Sequence, residues 1–169
     1  MTNNDILIRL RYALDIKDRD MVEIFGLGGV QTTKEEVQEM LSKSKNSSTN
    51  EVQDDEYVKK IDNTILESFL NGLVILKRGT QDTKPEDSQK QFLMSNDNRN
   101  VNNILLKKVK IALSLTSEDI LDILNDTGVN LSKSELSAVL RKEGQRNYKE
   151  CGDRYARNFL KGLASRYRQ

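Results

Sequence analysis

The 169-residue sequence predicts an all-α protein of two tandem, structurally similar four-helix units packed in a pseudo-symmetric arrangement. Composition, an internal repeat and the spacing of apolar residues lead there. Leu, Ile, Lys, Glu and Asp are abundant, proline occurs once, and tryptophan and histidine are absent, a mixture that favours helix over sheet. Sliding the chain by 99 residues aligns 3–41 with 102–140 without a gap and gives 12 identities in 39 positions. Asn3 matches Asn102, Leu7 Leu106, Ala13 Ala112, Asp20 Asp119, Gly29 Gly128 and Glu36 Glu135, while Arg9 faces Lys108 and Met21 faces Ile120.

The ends of the units match at a shift of 90, pairing Phe69-Leu70-Asn71-Gly72-Leu73 with Phe159-Leu160-Lys161-Gly162-Leu163. The first unit, 1–79, therefore carries nine extra residues, assigned to a flexible polar insert at about 42–56. Residues 80–100, with Pro85, form the expected linker, and Phe92, Leu93 and Met94 in it are a candidate anchor onto one unit. The second unit is 101–169.

Each unit reads as four helices. Asn4 and Asn103 are taken as N-caps of a first helix with apolar positions at Ile6, Leu10, Ala13 and Leu14, or at Leu105, Val109, Ala112 and Leu113. Asp18 and Ser117 are taken as caps of the second helix, which ends at Gly29 or Gly128, where a left-handed residue closes it. Thr33-Lys34-Glu35-Glu36 and Ser132-Lys133-Ser134-Glu135 both fit the capping box, so a third helix is expected to begin there in each unit, and the fourth runs over about 63–77 or 153–167. Gly72 and Gly162 interrupt strong helical patterns, which predicts close helix crossing.

The segments Asn4-Asp5-Ile6-Leu7 with Arg9-Leu10-Arg11-Tyr12-Ala13-Leu14, Leu27-Gly28-Gly29-Val30, Phe69-Leu70-Asn71-Gly72-Leu73 before Lys77-Arg78-Gly79, Asn102-Asn103-Ile104-Leu105-Leu106-Lys107-Lys108, Leu131-Ser132-Lys133-Ser134-Glu135-Leu136-Ser137, and Glu150-Cys151-Gly152-Asp153 leading to Phe159-Leu160-Lys161-Gly162-Leu163 form a recognisable set. Together they resemble the bacterial YehS-like family, small proteins of unknown function made of two copies of one domain. The resemblance covers nearly the whole chain and implies a duplicated helical protein of bacterial origin, with no activity attached. The insert at 42–56 departs from the family's more compact form.

Few features point to catalysis. Without histidine the chain lacks the most versatile acid-base group near neutral pH and the commonest zinc ligand. Cys151, the only cysteine, excludes an intramolecular disulfide and points to a reducing compartment. It lies before the last helix, where a nucleophile is conceivable, but its counterpart is Ile61, which favours a small buried hydrophobe. Gly28-Gly29 lacks the surroundings of a phosphate loop and reads as a helix stop. No catalytic, metal or cofactor site is expected. No apolar run approaches the ~20 residues of a bilayer span, and the first residues are charged where a secretory signal is apolar, so a cytoplasmic protein is expected.

Charge is balanced overall at +1 but not along the chain: 13 Lys+Arg face 17 Asp+Glu through Lys90, a net of −4, and 14 face 9 from Gln91 onward, a net of +5. In the last helix Arg154, Arg157, Lys161 and Arg168 fall on one side at about 100° per residue, opposite Phe159, Leu163 and Tyr167. Lys107, Lys108 and Lys110, then Arg141, Lys142, Arg146 and Lys149, extend this basic stripe if their segments lie nearby. Residues 118–142 read as helix, turn, helix, although the connection from Asn125 to Leu131 exceeds that of the usual DNA-binding motif. The expected function is that of a non-catalytic cytosolic interaction or adaptor protein with a protein partner or homo-oligomer. The alternative is weak nucleic-acid binding, with Lys107, Lys108, Arg141, Lys142, Arg154, Arg157 and Lys161 as candidate contacts.

Overall fold

A computed structural model describes residues 2–42, 60–78, 101–141 and 146–167. Among these residues there are eight helices and no strand: α1 (Asn3–Ala13), α2 (Asp18–Leu27), α3 (Lys34–Leu41), α4 (Asn63–Arg78), α5 (Val101–Ala112), α6 (Ser117–Asp126), α7 (Lys133–Leu140) and α8 (Asp153–Tyr167). The expected insert lies outside the described residues except for Ser42, the exposed C-cap of α3. The linker 80–100 and its anchor Phe92, Leu93 and Met94 lie wholly outside them.

Helix ends follow local hydrogen-bond chemistry. Thr33 and Ser132 cap α3 and α7 as expected, their hydroxyls accepting from Glu36 N at 3.2 Å and Glu135 N at 3.1 Å. Gly29 and Gly128 take positive φ, +95° and +86°. The next residues, Val30 and Val129, then donate back to the carbonyls of Phe25 at 2.8 Å and Leu124 at 3.0 Å, closing α2 and α6.

The four caps expected for the first and second helices are all corrected, because each named residue lies inside its helix. Thr2 caps α1 in a reciprocal box with Asp5, and Thr116 caps α6 in the same box with Asp119. The threonine hydroxyl accepts from the aspartate amide and the aspartate carboxylate accepts from the threonine amide, so the pair satisfies two orphan amides at once, which places the boundary there. Lys17 precedes α2 without a side-chain cap, and Asp18, already helical, pairs instead with Arg11 at 2.9 Å.

Asn4 and Asn103 are therefore not caps; they lie within the first turns of α1 and α5 and are buried, each 3% exposed. The Asn4 amide donates to Met40 O at 2.8 Å and accepts from Ile61 N at 3.1 Å. The Asn103 amide donates to Val139 O at 2.9 Å and Lys149 O at 2.8 Å and accepts from Cys151 N at 2.8 Å. Their neighbours reach the start of the following long helix. Asn3 donates to Ile61 O at 3.3 Å and Asn63 Oδ1 at 2.8 Å, and Asn102 donates to Cys151 O at 3.1 Å and Asp153 Oδ1 at 2.8 Å. A side-chain amide carries both donors and an acceptor, so one residue can satisfy a helix end and an extended segment together.

The helices pack by their apolar faces. α1 and α2 contact α3 and α4, and α5 and α6 contact α7 and α8; α4 also lies on α5, and α1 on α8. Leu7, Leu10, Ile24, Phe25, Phe69 and Leu73 share one core with Leu105, Val109, Ile123, Phe159 and Leu163. Each such side chain contributes roughly 1.5–3 kcal/mol on burial. The Phe25 and Phe69 rings meet at 5.0 Å between centroids and a tilt of 52°.

Glycine sets how closely α2 meets α4. A Cβ on Gly72 would overlap the Ile24 carbonyl oxygen, and one on Gly28 would overlap that of Ser68. A Cβ on Gly162 would overlap Ile123, so α6 and α8 cross closely as well. The crossings expected from the sequence are thus α2 with α4 and α6 with α8.

Two stability predictions follow from these contacts. Asn4→Ala or Asn103→Ala leaves a buried amide and a buried carbonyl without their partner and should cost about 2–3 kcal/mol each in urea unfolding. Gly72→Ala should destabilise by about 2–3 kcal/mol through overpacking. By contrast, Gly26→Ala, in open space on α2, should stabilise by up to about 1 kcal/mol, so the two glycine variants differ in sign.

Candidate interaction surface

The exposed face of α8 arises from its period. Ala156, Phe159, Leu160, Gly162 and Leu163 are buried, which turns Arg154, Arg157 and Lys161 outward, all three exposed. Tyr167, expected on the apolar side, is 43% exposed because it lies in the last turn of α8. At the start of α8, the hydrogen bond from Asn102 above all holds the Asp153 carboxyl below its ordinary value, with a smaller contribution from the Arg157 charge. Arg168 and Lys142 lie outside the described residues.

The remaining expected contacts are placed differently. Lys107 and Lys110 on α5 are half-buried, and Arg146 and Lys149 are exposed. Arg141 is exposed, but its guanidinium donates to the Arg146 carbonyl at 2.8 Å and so braces its own loop.

Lys108 is the clear correction: it is only 6% exposed and is not available to a phosphate. Burial lowers its pKa, while the charge of Glu67, itself 1% exposed on the facing helix α4, pulls the value back up. The sequence signal for this pair was Glu67 itself, a carboxylate within the otherwise uncharged run Leu66 to Leu70, on a helix that contacts α5.

The helix-turn-helix segment also differs from a DNA reader. α6 does pack on α7, with Leu136 and Val139 buried. On the outer side, however, Lys133 pairs with Glu118 at 2.8 Å, and each shifts the other: the Glu118 pKa is lowered and that of Lys133 raised. Ser134, Glu135 and Ser137 complete an exposed face with little positive charge to offer a phosphate.

Cys151 is 3% exposed, and burial with the nearby Asp153 charge pushes its thiol up to about 12. A thiol so disfavoured as thiolate is a poor nucleophile, in keeping with the small-hydrophobe reading. Among the described residues no group of three or more Cys, Asp or Glu side chains is arranged to hold a metal ion. No described helix is long and apolar enough to cross a membrane.

Sequence reasoning passed over Arg9. It is exposed on α1, the helix that lies on α8, and aligns with the buried Lys108. The available signal was that alignment, a cation kept in both halves at a position one half buries and the other exposes.

Fold and surface together define an all-helical protein with a basic helix face. No solved structure matches the chain significantly. Residues 3–79 and 102–169 match the family described as proteins of unknown function, DUF1456, and the chain belongs to that family. It is 38% identical over 166 residues to "Uncharacterized protein YehS" of Escherichia coli (strain K12), covering 98% of this chain and 96% of the relative.

The Glu67 and Lys108 charges should depend on each other. Lys108→Met alone should cost about 3 kcal/mol by stranding a buried carboxylate, whereas Glu67→Leu with Lys108→Met should return stability to within about 1 kcal/mol of the parent. The lowered Lys108 pKa means that, between its folded value and 10.5, the unfolded chain holds the extra proton. Stability should therefore rise with pH through that window in the parent relative to the double variant, as read by chemical denaturation.

Proposed function

We propose that this protein is a non-catalytic cytoplasmic adaptor that works through a protein partner or a second copy of itself. Its chain is a tandem pair of four-helix units, 1–79 and 101–169 joined by 80–100, docked in a pseudo-symmetric arrangement. Matching contacts support the pairing: α1 to α4 touch one another as α5 to α8 do, and the two seams, α4 on α5 and α8 on α1, exchange first and fourth helices. The family match in two segments, 3–79 and 102–169, is compatible with it.

One observation carries the adaptor reading. Positions that α4 buries at Glu67 and Ser68 correspond on α8 to Arg157, which is exposed, and Asn158, which is half-buried. A helix face that is interior in one half and open to water in the other suits a surface that a partner completes. Light scattering should give a defined oligomer, or affinity capture a partner at fixed stoichiometry; a monomer that captures nothing would remove the reading.

The row of Arg154, Arg157 and Lys161 favours a second reading, nucleic-acid binding through backbone contacts. It calls for gel-shift affinity that falls steeply with salt and disappears when all three are changed to Glu. Salt-independent binding, or none, argues against it.

A further inference from the structure

Under the paired-unit reading on which this inference rests, the two seams between the units are chemically unequal. At α4 with α5 the corresponding positions hold Glu67 and Lys108, opposite charges that are both buried. At α1 with α8 the same positions hold Arg157 and Arg9, two cations that are both exposed. Ile104 and Asp5 follow the same pattern, Ile104 buried on α5 and Asp5 half-buried on α1, where it is engaged in the Thr2 capping box. At the first two positions one seam buries a pair of opposite charges, and the other exposes two cations.

We propose that the α1–α8 seam is a docking site for an acidic helical segment of a partner protein, whose carboxylates bridge Arg9 and Arg157. In the α4–α5 seam a carboxylate on a helix offsets the cation of its neighbour, and in the α1–α8 seam neither corresponding position is a carboxylate. Asp5 is engaged in its capping box and Asp153, one turn before Arg157, is bonded to Asn102. An acidic partner supplies the anion that the position of Glu67 lacks there. Guanidinium groups suit that role because their planar fork matches a carboxylate bidentately. Arg154 and Lys161 extend the positive row along α8 on either side of Arg157, which fits acidic residues spaced along one face of a helix. Tyr12, 59% exposed on α1, adds an amphipathic ring of the kind enriched at interfaces. A partner helix is favoured over nucleic acid because Glu67, the group to be replaced, is itself a carboxylate presented on a helix.

The test is fluorescence anisotropy on the full chain with three labelled probes: an 18-residue amphipathic helical peptide carrying Glu along one face, the same peptide with Gln for each Glu, and a 20-base-pair DNA duplex. The Glu peptide should bind at least tenfold more tightly than the Gln peptide. Arg9→Glu with Arg157→Glu, both at exposed positions, should weaken it at least tenfold with circular dichroism and thermal unfolding unchanged. Arg19→Glu with Lys34→Glu, exposed on α2 and α3, should leave binding within twofold. Absence of peptide binding, equal loss in both reversal pairs, or tighter binding of the duplex would each overturn the proposal. A captured partner indifferent to the Arg9 and Arg157 reversals would overturn the seam while leaving the adaptor reading intact, and failure of α1–α4 to superimpose on α5–α8 in an experimental structure would overturn the paired-unit reading whatever the peptide does.

Discussion

Buried backbone must be hydrogen-bonded, and in this protein the demand is sharpest where the chain passes from a short helix to the long one that follows it. Ile61 and Cys151 are buried in the core just outside the helices, with no helical ladder to receive their amides. Asn4 and Asn103 supply what is missing: each accepts from one of those amides and donates to the last turn of the short helix before it. Three elements are thereby fixed to one side chain. Asparagine is an unfavourable choice within a helix because its amide competes for backbone bonds, and here that same competence makes it useful.

The clamps also set the direction in which α4 and α8 leave, and the rest of the packing follows. With its start tied by Asn3 and Asn63, α4 is laid against α2 closely enough that Gly28 and Gly72 admit no side chain, and Phe25 meets Phe69 beside them. Its other side is then free to take α5, where Glu67 and Lys108 are buried. α8, tied by Asn102 to Asp153, crosses α6 at Gly162 and lies on α1, with Arg154 and Arg157 exposed. Similar local chemistry thus starts two helices that differ further along, Glu67 buried on one and Arg157 exposed on the other, and the proposed function turns on that difference.

Much of this was legible in the sequence because it depends on residues close together in the chain. Thr33, Ser132, Gly29 and Gly128 act within one turn of themselves, and the spacing of Phe159, Leu160 and Leu163 turned Arg154, Arg157 and Lys161 outward. What escaped depends on distant partners. A cap and a buried tether draw on the same amide of Asn4, and only the positions of Met40 and Ile61 decide between them. Lys108 carries no mark of burial beside the half-buried Lys107, since its counter-charge comes from another helix. The left-handed residues Asp15 and Ser114, which close α1 and α5 without a glycine, were hidden because side-chain type alone does not signal them.

The most direct test of the clamps is native-state hydrogen exchange followed by NMR. If the asparagine amides hold the fold together, the backbone protons of Ile61 and Cys151, although outside any helix, should exchange only through global opening, as slowly as core amides of α4 and α8. Exchange of either proton at the rate of its exposed neighbour, Lys60 or Gly152, would contradict the account.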